Sequence, residues 1–193
     1  MALSTQHWGA QLVINLGAIS TNYHLLQKVA PEAEIAAVVK ADAYGLGMDK
    51  IASALAGAGC RTFFVATPEE GLALRKILPE SGIHVFNGPM SGLLEEMIEQ
   101  RITPVLNSLY QINLWAKLAN NSSRLPPVDL QLDTGMCRLG ITSEELDSYA
   151  GNTHLKALLN HDVIFSHLAC ADDPENSMNQ LQRDEFETKS RKF

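Results

Sequence analysis

Short runs of apolar and β-branched residues recur along the chain, each followed by a turn and then by apolar positions at helical spacing. The runs are EIAAVV (34–39), TFFVA (62–66), IHVFN (83–87), ITPVLN (102–107), VDLQL (128–132) and VIFSH (163–167). Most show little polar alternation, as expected of strands buried on both faces of a parallel sheet. VDLQL alternates instead, which suits a barrel strand whose two faces differ.

The intervening stretches read as helices. One spans roughly 18–29 and stops at Pro31. Ile51, Leu55 and Ala58 mark a second, and Leu72, Leu74 and Leu78 a third. The third has Pro68 in its first turn, where proline forfeits no hydrogen bond, and Glu69 and Glu70 at the positive end. Ser91 is expected to start the next, with Leu93, Leu94 and Met97 as its apolar stripe. Ser108 opens another, with Leu109, Ile112, Trp115 and Leu118–Ala119 facing inward. TSEEL (142–146) resembles a capping box.

Alternating strands and helices imply parallel strands joined by crossover helices, in an open doubly wound sheet or a closed β/α barrel. No GxGxxG follows the first strand and no GxxxxGK[ST] occurs, which weakens the nucleotide-binding versions of the open sheet. A closed barrel needs eight strands and about 250 residues. This chain has 193 residues and six strand candidates, and its tail reads as an amphipathic helix without a C-terminal stop signal. The expectation is the front portion of a longer barrel, about six βα units in one segment, 1–193.

Composition narrows the function classes. Hydrophobic residues are 46%, enough for a substantial core. A net charge of -7 argues against nucleic acid as a partner. Cys60, Cys137 and Cys170 are odd in number and without CxxC pairing, so free thiols are expected rather than a disulfide framework or zinc site. The first residues show no basic segment followed by an apolar one, and no apolar run approaches the roughly 20 residues of a membrane span. A cytoplasmic, non-membrane protein is expected.

In barrels, active sites form where strands end. Lys40, Thr67, Asn87, Asn107, Asp133 and His167 fall at or just past strand ends. Any one of them is more often a cap or loop residue than a catalyst. Lys40 differs because it closes the apolar run AAVVK. A lysine there must be paired, snorkel to solvent or be covalently occupied. A desolvated barrel mouth favours a neutral amine, the form that Schiff-base chemistry needs. Taken alone, the position is more often a lysine whose tip reaches water.

AVVKADAYGLG (37–47) resembles the cofactor-lysine motif of alanine racemases. LDTGMCRLG (132–140) and FSHLACADDPEN (165–176) resemble two further signatures of that family, and QLVINLGAISTNYHLL (11–26) its typical opening. The resemblance covers nearly the whole chain. It implies an α/β fold of the (β/α)8 TIM-barrel type, pyridoxal 5'-phosphate as cofactor, and interconversion of L- and D-alanine that supplies D-alanine for peptidoglycan. It implies that Lys40 carries the cofactor and exchanges the Cα proton on the D-alanine side. Tyr44 would reach the cofactor phosphate. Arg138 would bind near the phenolic oxygen and hold the substrate carboxylate, and His167 would lie against or near the pyridine ring.

The match has departures. Many relatives carry a lysine where this chain has Gln131, so Arg138 is expected to be oriented by an amide. Cys137, beside Arg138, is expected near the site and open to thiol reagents. In the family the second base is a tyrosine of a C-terminal β domain contributed by the partner subunit of a homodimer. That domain has no counterpart in these residues, so the 193-residue chain alone is expected to be nearly inactive. The alternatives are a broad-specificity amino-acid racemase, a non-catalytic carrier of the cofactor, and a truncated product without activity.

Overall fold

Among the described residues six strands pair in parallel in the order β1 to β6: Ala37–Val38, Thr62–Val65, Gly82–Val85, Thr103–Leu106, Val128–Gln131 and His161–Phe165. The computed structural model describes residues 9–119 and 125–193. The strands connect through α1 (Leu16–Val29), α2 (Lys40–Gly45), α3 (Met48–Gly57), α4 (Pro68–Ile77), α5 (Leu94–Glu99), α6 (Leu109–Ala119), α7 (Ser143–Ala150) and α8 (Thr153–Leu158), with α9 (Ser177–Ser190) after β6.

The sequential order separates the two architectures left open above, because a doubly wound sheet reverses its strand order at a switch point. Curvature gives the same answer. From β2 to β6 is four strand spacings, about 19 Å in a flat sheet. Yet the rings of Phe64 and Phe165 meet with centroids 6.0 Å apart, and those of Phe86 and Phe165 at 6.2 Å. The sheet is rolled, and these rings lie on its concave face.

Strand register sorts the side chains by face. The pairs Val38–Phe64, Phe64–His84, His84–Thr103, Val105–Asp129 and Gln131–Phe165 define the inner row. Alternate residues point outward. Among them Val39, Phe63, Val65, Ile83, Val85, Leu106 and Leu130 are all 0% exposed, so the main core lies between sheet and helices. β5 was expected to have unlike faces but is buried on both, because Asp129 is paired inside the barrel with His84. β6 was expected to be buried on both faces but is half-exposed, since it forms one edge of the sheet.

The helix signals hold at most positions. Thr67 and Glu70 form a full capping box on α4, with Pro68 in its first turn, and Thr142 and Glu145 do the same on α7. Ser108 accepts from the Gln111 N–H at the start of α6. Ile112 and Trp115 are fully buried there, while the Ala119 side chain lies outside the described residues. Ser91 does not start α5. The helix begins at Leu94 without a side-chain cap, after a turn closed by Leu93 N–H to the Met90 carbonyl.

At the bottom of the fold Tyr149, fully buried on α7, shares a 2.5 Å hydrogen bond with His161 Nε2. Burial pushes Tyr149 up from 10.0 to about 12. Burial, and then the Lys156 charge, hold His161 below 6.5. The folded chain therefore keeps the Tyr149 proton after the unfolded chain has released it. That contribution is whole below pH 10.0 and lost as pH rises toward about 12. The two-unit difference corresponds to about 3 kcal/mol. On the acid side, the unfolded chain takes a His161 proton that the folded chain resists, so stability also falls below pH 6.5. Urea titrations across pH are expected to show both arms. Tyr149→Phe should remove the alkaline one; an unchanged alkaline arm would assign it elsewhere.

Candidate active site

Alternation along β1 sends Ala37 and Val39 outward and Val38 and Lys40 inward, so the chain's first strand delivers an amine to the concave face. The chain then makes a left-handed turn. Ala41, Asp42, Ala43 and Tyr44 have φ of 51°, 53°, 52° and 57°. Each such residue costs roughly 1–2 kcal/mol, so the turn must be held from outside. Ala43 N–H donates to the Val39 carbonyl at 2.9 Å, and Met48 N–H to Asp42 Oδ1 at 2.7 Å. Ala41 N–H donates to Glu70 Oε1 of α4 at 2.7 Å.

Arg138 sits on a loop that leaves β5 and returns to it. Ile141 N–H donates to the Gln131 carbonyl at 2.8 Å, and Asp133 N–H to the Ile141 carbonyl at 3.1 Å. Inside the loop, Asp133 Oδ1 accepts from the N–H groups of Gly135 and Cys137, both at 3.0 Å. His167 follows β6 by two residues.

Lys40, Tyr44, Arg138 and His167 line one cavity of about 350 Å³ at the strand ends, with Phe86, Phe165, Ala66, Asn87, Gln131 and Leu139 among its walls. Lys40 Nζ lies 5.8 Å from the Phe86 ring centroid and 5.9 Å from that of Tyr44. Neither Lys40 nor Arg138 makes an ion pair among the described residues, and no carboxylate lines the cavity. In a chain of net charge -7 this is a local concentration of positive charge. Burial first, then the charges of Arg138 and Lys40, hold the His167 imidazole below its ordinary pKa of 6.5. The residues fit an anionic, planar, aldehyde-bearing ligand: an amine to react, cations to neutralise, aromatic walls to flank a ring.

The other rim residues divide. Asn87 lines the cavity. Thr67 is the N-cap of α4, Asp133 shapes the Arg138 loop, and buried Asn107 donates to the carbonyls of Phe86 and Val105. Gln131 makes no side-chain hydrogen bond to Arg138 among the described residues; its amide instead donates to the carbonyl of the next residue, Leu139, at 3.3 Å. Cys137 is exposed and is not among the lining residues, although Arg138 is. Phe86 and Phe165 also wall the site, and the sequence signal that finds them is inward register with Lys40. Among the described residues there is no cluster of metal-ligating side chains and no helix long and apolar enough to cross a membrane.

A family model described as alanine racemase, N-terminal domain, matches residues 14–193. The chain is 45% identical over 172 residues to a catabolic alanine racemase of Agrobacterium fabrum, covering 89% of this chain and 44% of that protein. It is 41% identical over 186 residues to an alanine racemase of Rhodospirillum rubrum, covering 95% and 50%. The chain thus spans about half the length of the curated relatives it matches. Among solved structures, alanine racemase from Bartonella henselae with covalently bound pyridoxal phosphate superposes with a TM-score of 0.88 at 39% identity, covering 93% of this chain and 50% of that one. A histidine racemase from Leuconostoc mesenteroides superposes with a TM-score of 0.79 at 25% identity, covering 89% and 46%.

Proposed function

The chain belongs to the alanine racemase N-terminal domain family, and we propose that it is the barrel portion of a pyridoxal-phosphate-dependent enzyme that interconverts L- and D-alanine. One observation carries the reading: Lys40 and Arg138, each without an ion-pair partner among the described residues, face a cavity at the strand ends whose lining holds no carboxylate. When bound there, pyridoxal phosphate supplies the electron sink that makes the substrate Cα proton removable.

The chain's own residues do the rest. Lys40 holds the cofactor covalently and moves the proton at Cα on the D-alanine face. Tyr44 offers its hydroxyl to the phosphate. Arg138 presents a planar fork to the phenolic oxygen and the substrate carboxylate, a geometry lysine could not match. His167, its pKa held below the ordinary 6.5 by burial and the neighbouring cations, flanks the ring. Racemisation needs an acid–base group on the opposite face as well. We assign that group to a tyrosine of a C-terminal β domain of a partner subunit, outside these 193 residues.

Supply of D-alanine for peptidoglycan in the cytoplasm is the physiological role that this reading favours. A second reading has support of its own, since the Agrobacterium fabrum relative is named catabolic. It places the same interconversion in alanine breakdown.

The test is exchange of the alanine Cα hydrogen in D2O, followed by NMR, with the 193-residue chain and added pyridoxal phosphate. D-alanine is expected to exchange about a hundredfold faster than with cofactor alone, the scale of a positioned base. L-alanine should not accumulate, and Lys40→Ala should abolish the gain. No acceleration, or equal acceleration by Lys40→Ala, would refute the assignment.

A further inference from the structure

Side chains from the helices cross-link the strand-end loops that carry the cavity. On one side, the Glu70 carboxylate takes Ala41 N–H on Oε1 at 2.7 Å, and Ala66 and Thr67 N–H on Oε2 at 2.7 and 3.4 Å. It thereby binds the Lys40 turn to the end of β2. On the other side, Gln182 of α9 is 1% exposed and fully used. Its Nε2 donates to Thr134 Oγ1 at 3.1 Å and to the His167 carbonyl at 2.8 Å, while its Oε1 accepts Ala169 N–H at 2.8 Å. It thereby binds the Arg138 loop to the His167 segment. Gln111 and Glu145 make comparable bridges between the intervening loops.

We propose that Glu70 and Gln182 are positioning residues of the Lys40 site, Glu70 setting the Lys40 turn and Gln182 bringing Arg138 and His167 to the same cavity. The proposal rests on the reading that Lys40 carries the cofactor. The two side chains are not interchangeable. Glu70 faces three N–H donors and needs two acceptor oxygens. A glutamine there would set an NH2 group against an N–H. Gln182 needs two donors and one acceptor, and a glutamate there would face the His167 carbonyl with a second acceptor. The left-handed turn adds weight on the Lys40 side, because a strained segment persists only where its surroundings over-determine it. Without the Glu70 bond, relaxation of Ala41–Tyr44 would move the residue immediately before it, Lys40.

The experiment compares the full chain with E70Q, Q182E and L146A, the last removing a fully buried side chain of α7 that does not line the cavity. Amide hydrogen exchange and the dissociation constant for pyridoxal phosphate are read on each. In the unsubstituted chain, the amides of Ala41 and Ala169 are expected to be protected although both residues are exposed. E70Q should release Ala41 and Ala66, and Q182E should release Ala169, by about tenfold or more in exchange rate. Each should weaken cofactor binding by about tenfold. L146A, matched in melting temperature, should bind as tightly as the unsubstituted chain.

Cofactor affinities of E70Q and Q182E that track melting temperature along with L146A would overturn the positioning role. So would unprotected Ala41 and Ala169 amides in the unsubstituted chain, a reading that needs no variant to fold. Failure of the unsubstituted chain to bind cofactor would refute the underlying function instead, and the exchange data would still decide whether the bridges exist.

Discussion

Gly140→Ala is expected to destabilise the chain by about 3 kcal/mol or more and to remove Arg138 from the cavity. Gly140 has φ of +118°, and a Cβ there would lie 2.5 Å from the Asp133 nitrogen and 2.8 Å from the Leu132 carbonyl carbon. Both are backbone atoms that pair the returning loop with the end of β5, so no rotamer change relieves the contact. The melting temperature should fall by about 10 °C in a chain of this size. Gly92→Ala is the control, since its Cβ would meet nothing within 4 Å. Equal melting temperatures for the two variants would show that the loop does not need its close return.

His84→Ala should cost as much by a different route. His84 Nδ1 and Asp129 Oδ2 are 2.6 Å apart inside the barrel, with side chains 6% and 0% exposed, and Asp129 Oδ1 has no hydrogen-bond partner among the described residues. Removing the histidine leaves the buried Asp129 side chain without a hydrogen-bond partner among the described residues, at a cost of about 3–5 kcal/mol. Replacing both residues with leucine should cost less than His84→Ala alone, because the charge goes with its partner. Urea unfolding of the two single leucine variants and the double supplies the cycle. Additive losses would mean that the pair does not act as a unit.

Strand and helix alternation was legible because Val39, Phe63, Val65, Ile83 and Val85 pack outward against helices, and that demand leaves apolar runs in the chain. Lys40 stood out because it ends such a run. The inner face was less legible. Asp129 finds its partner 45 residues away, so in the sequence its alternating strand reads as one whose two faces differ. Thr67 and Asp133 share Lys40's place at strand ends yet serve a helix cap and a turn. Position alone does not distinguish the three. Nothing in Ala-Asp-Ala-Tyr signals a left-handed turn, because the bond that helps hold it comes from Glu70, 29 residues along the chain. Glu70 itself was legible only as a first-turn acid, which it also is. Roles set by long-range contact left no local mark.

The roles of Tyr44, Arg138 and His167 all depend on Lys40 carrying the cofactor. The most direct measurement is borohydride reduction of the pyridoxal-phosphate-loaded chain, followed by peptide mass mapping. The cofactor mass is expected on the peptide containing Lys40, with no specific label in Lys40→Ala. Label spread over the other lysines of a well-folded chain, or specific label retained in Lys40→Ala, would contradict it.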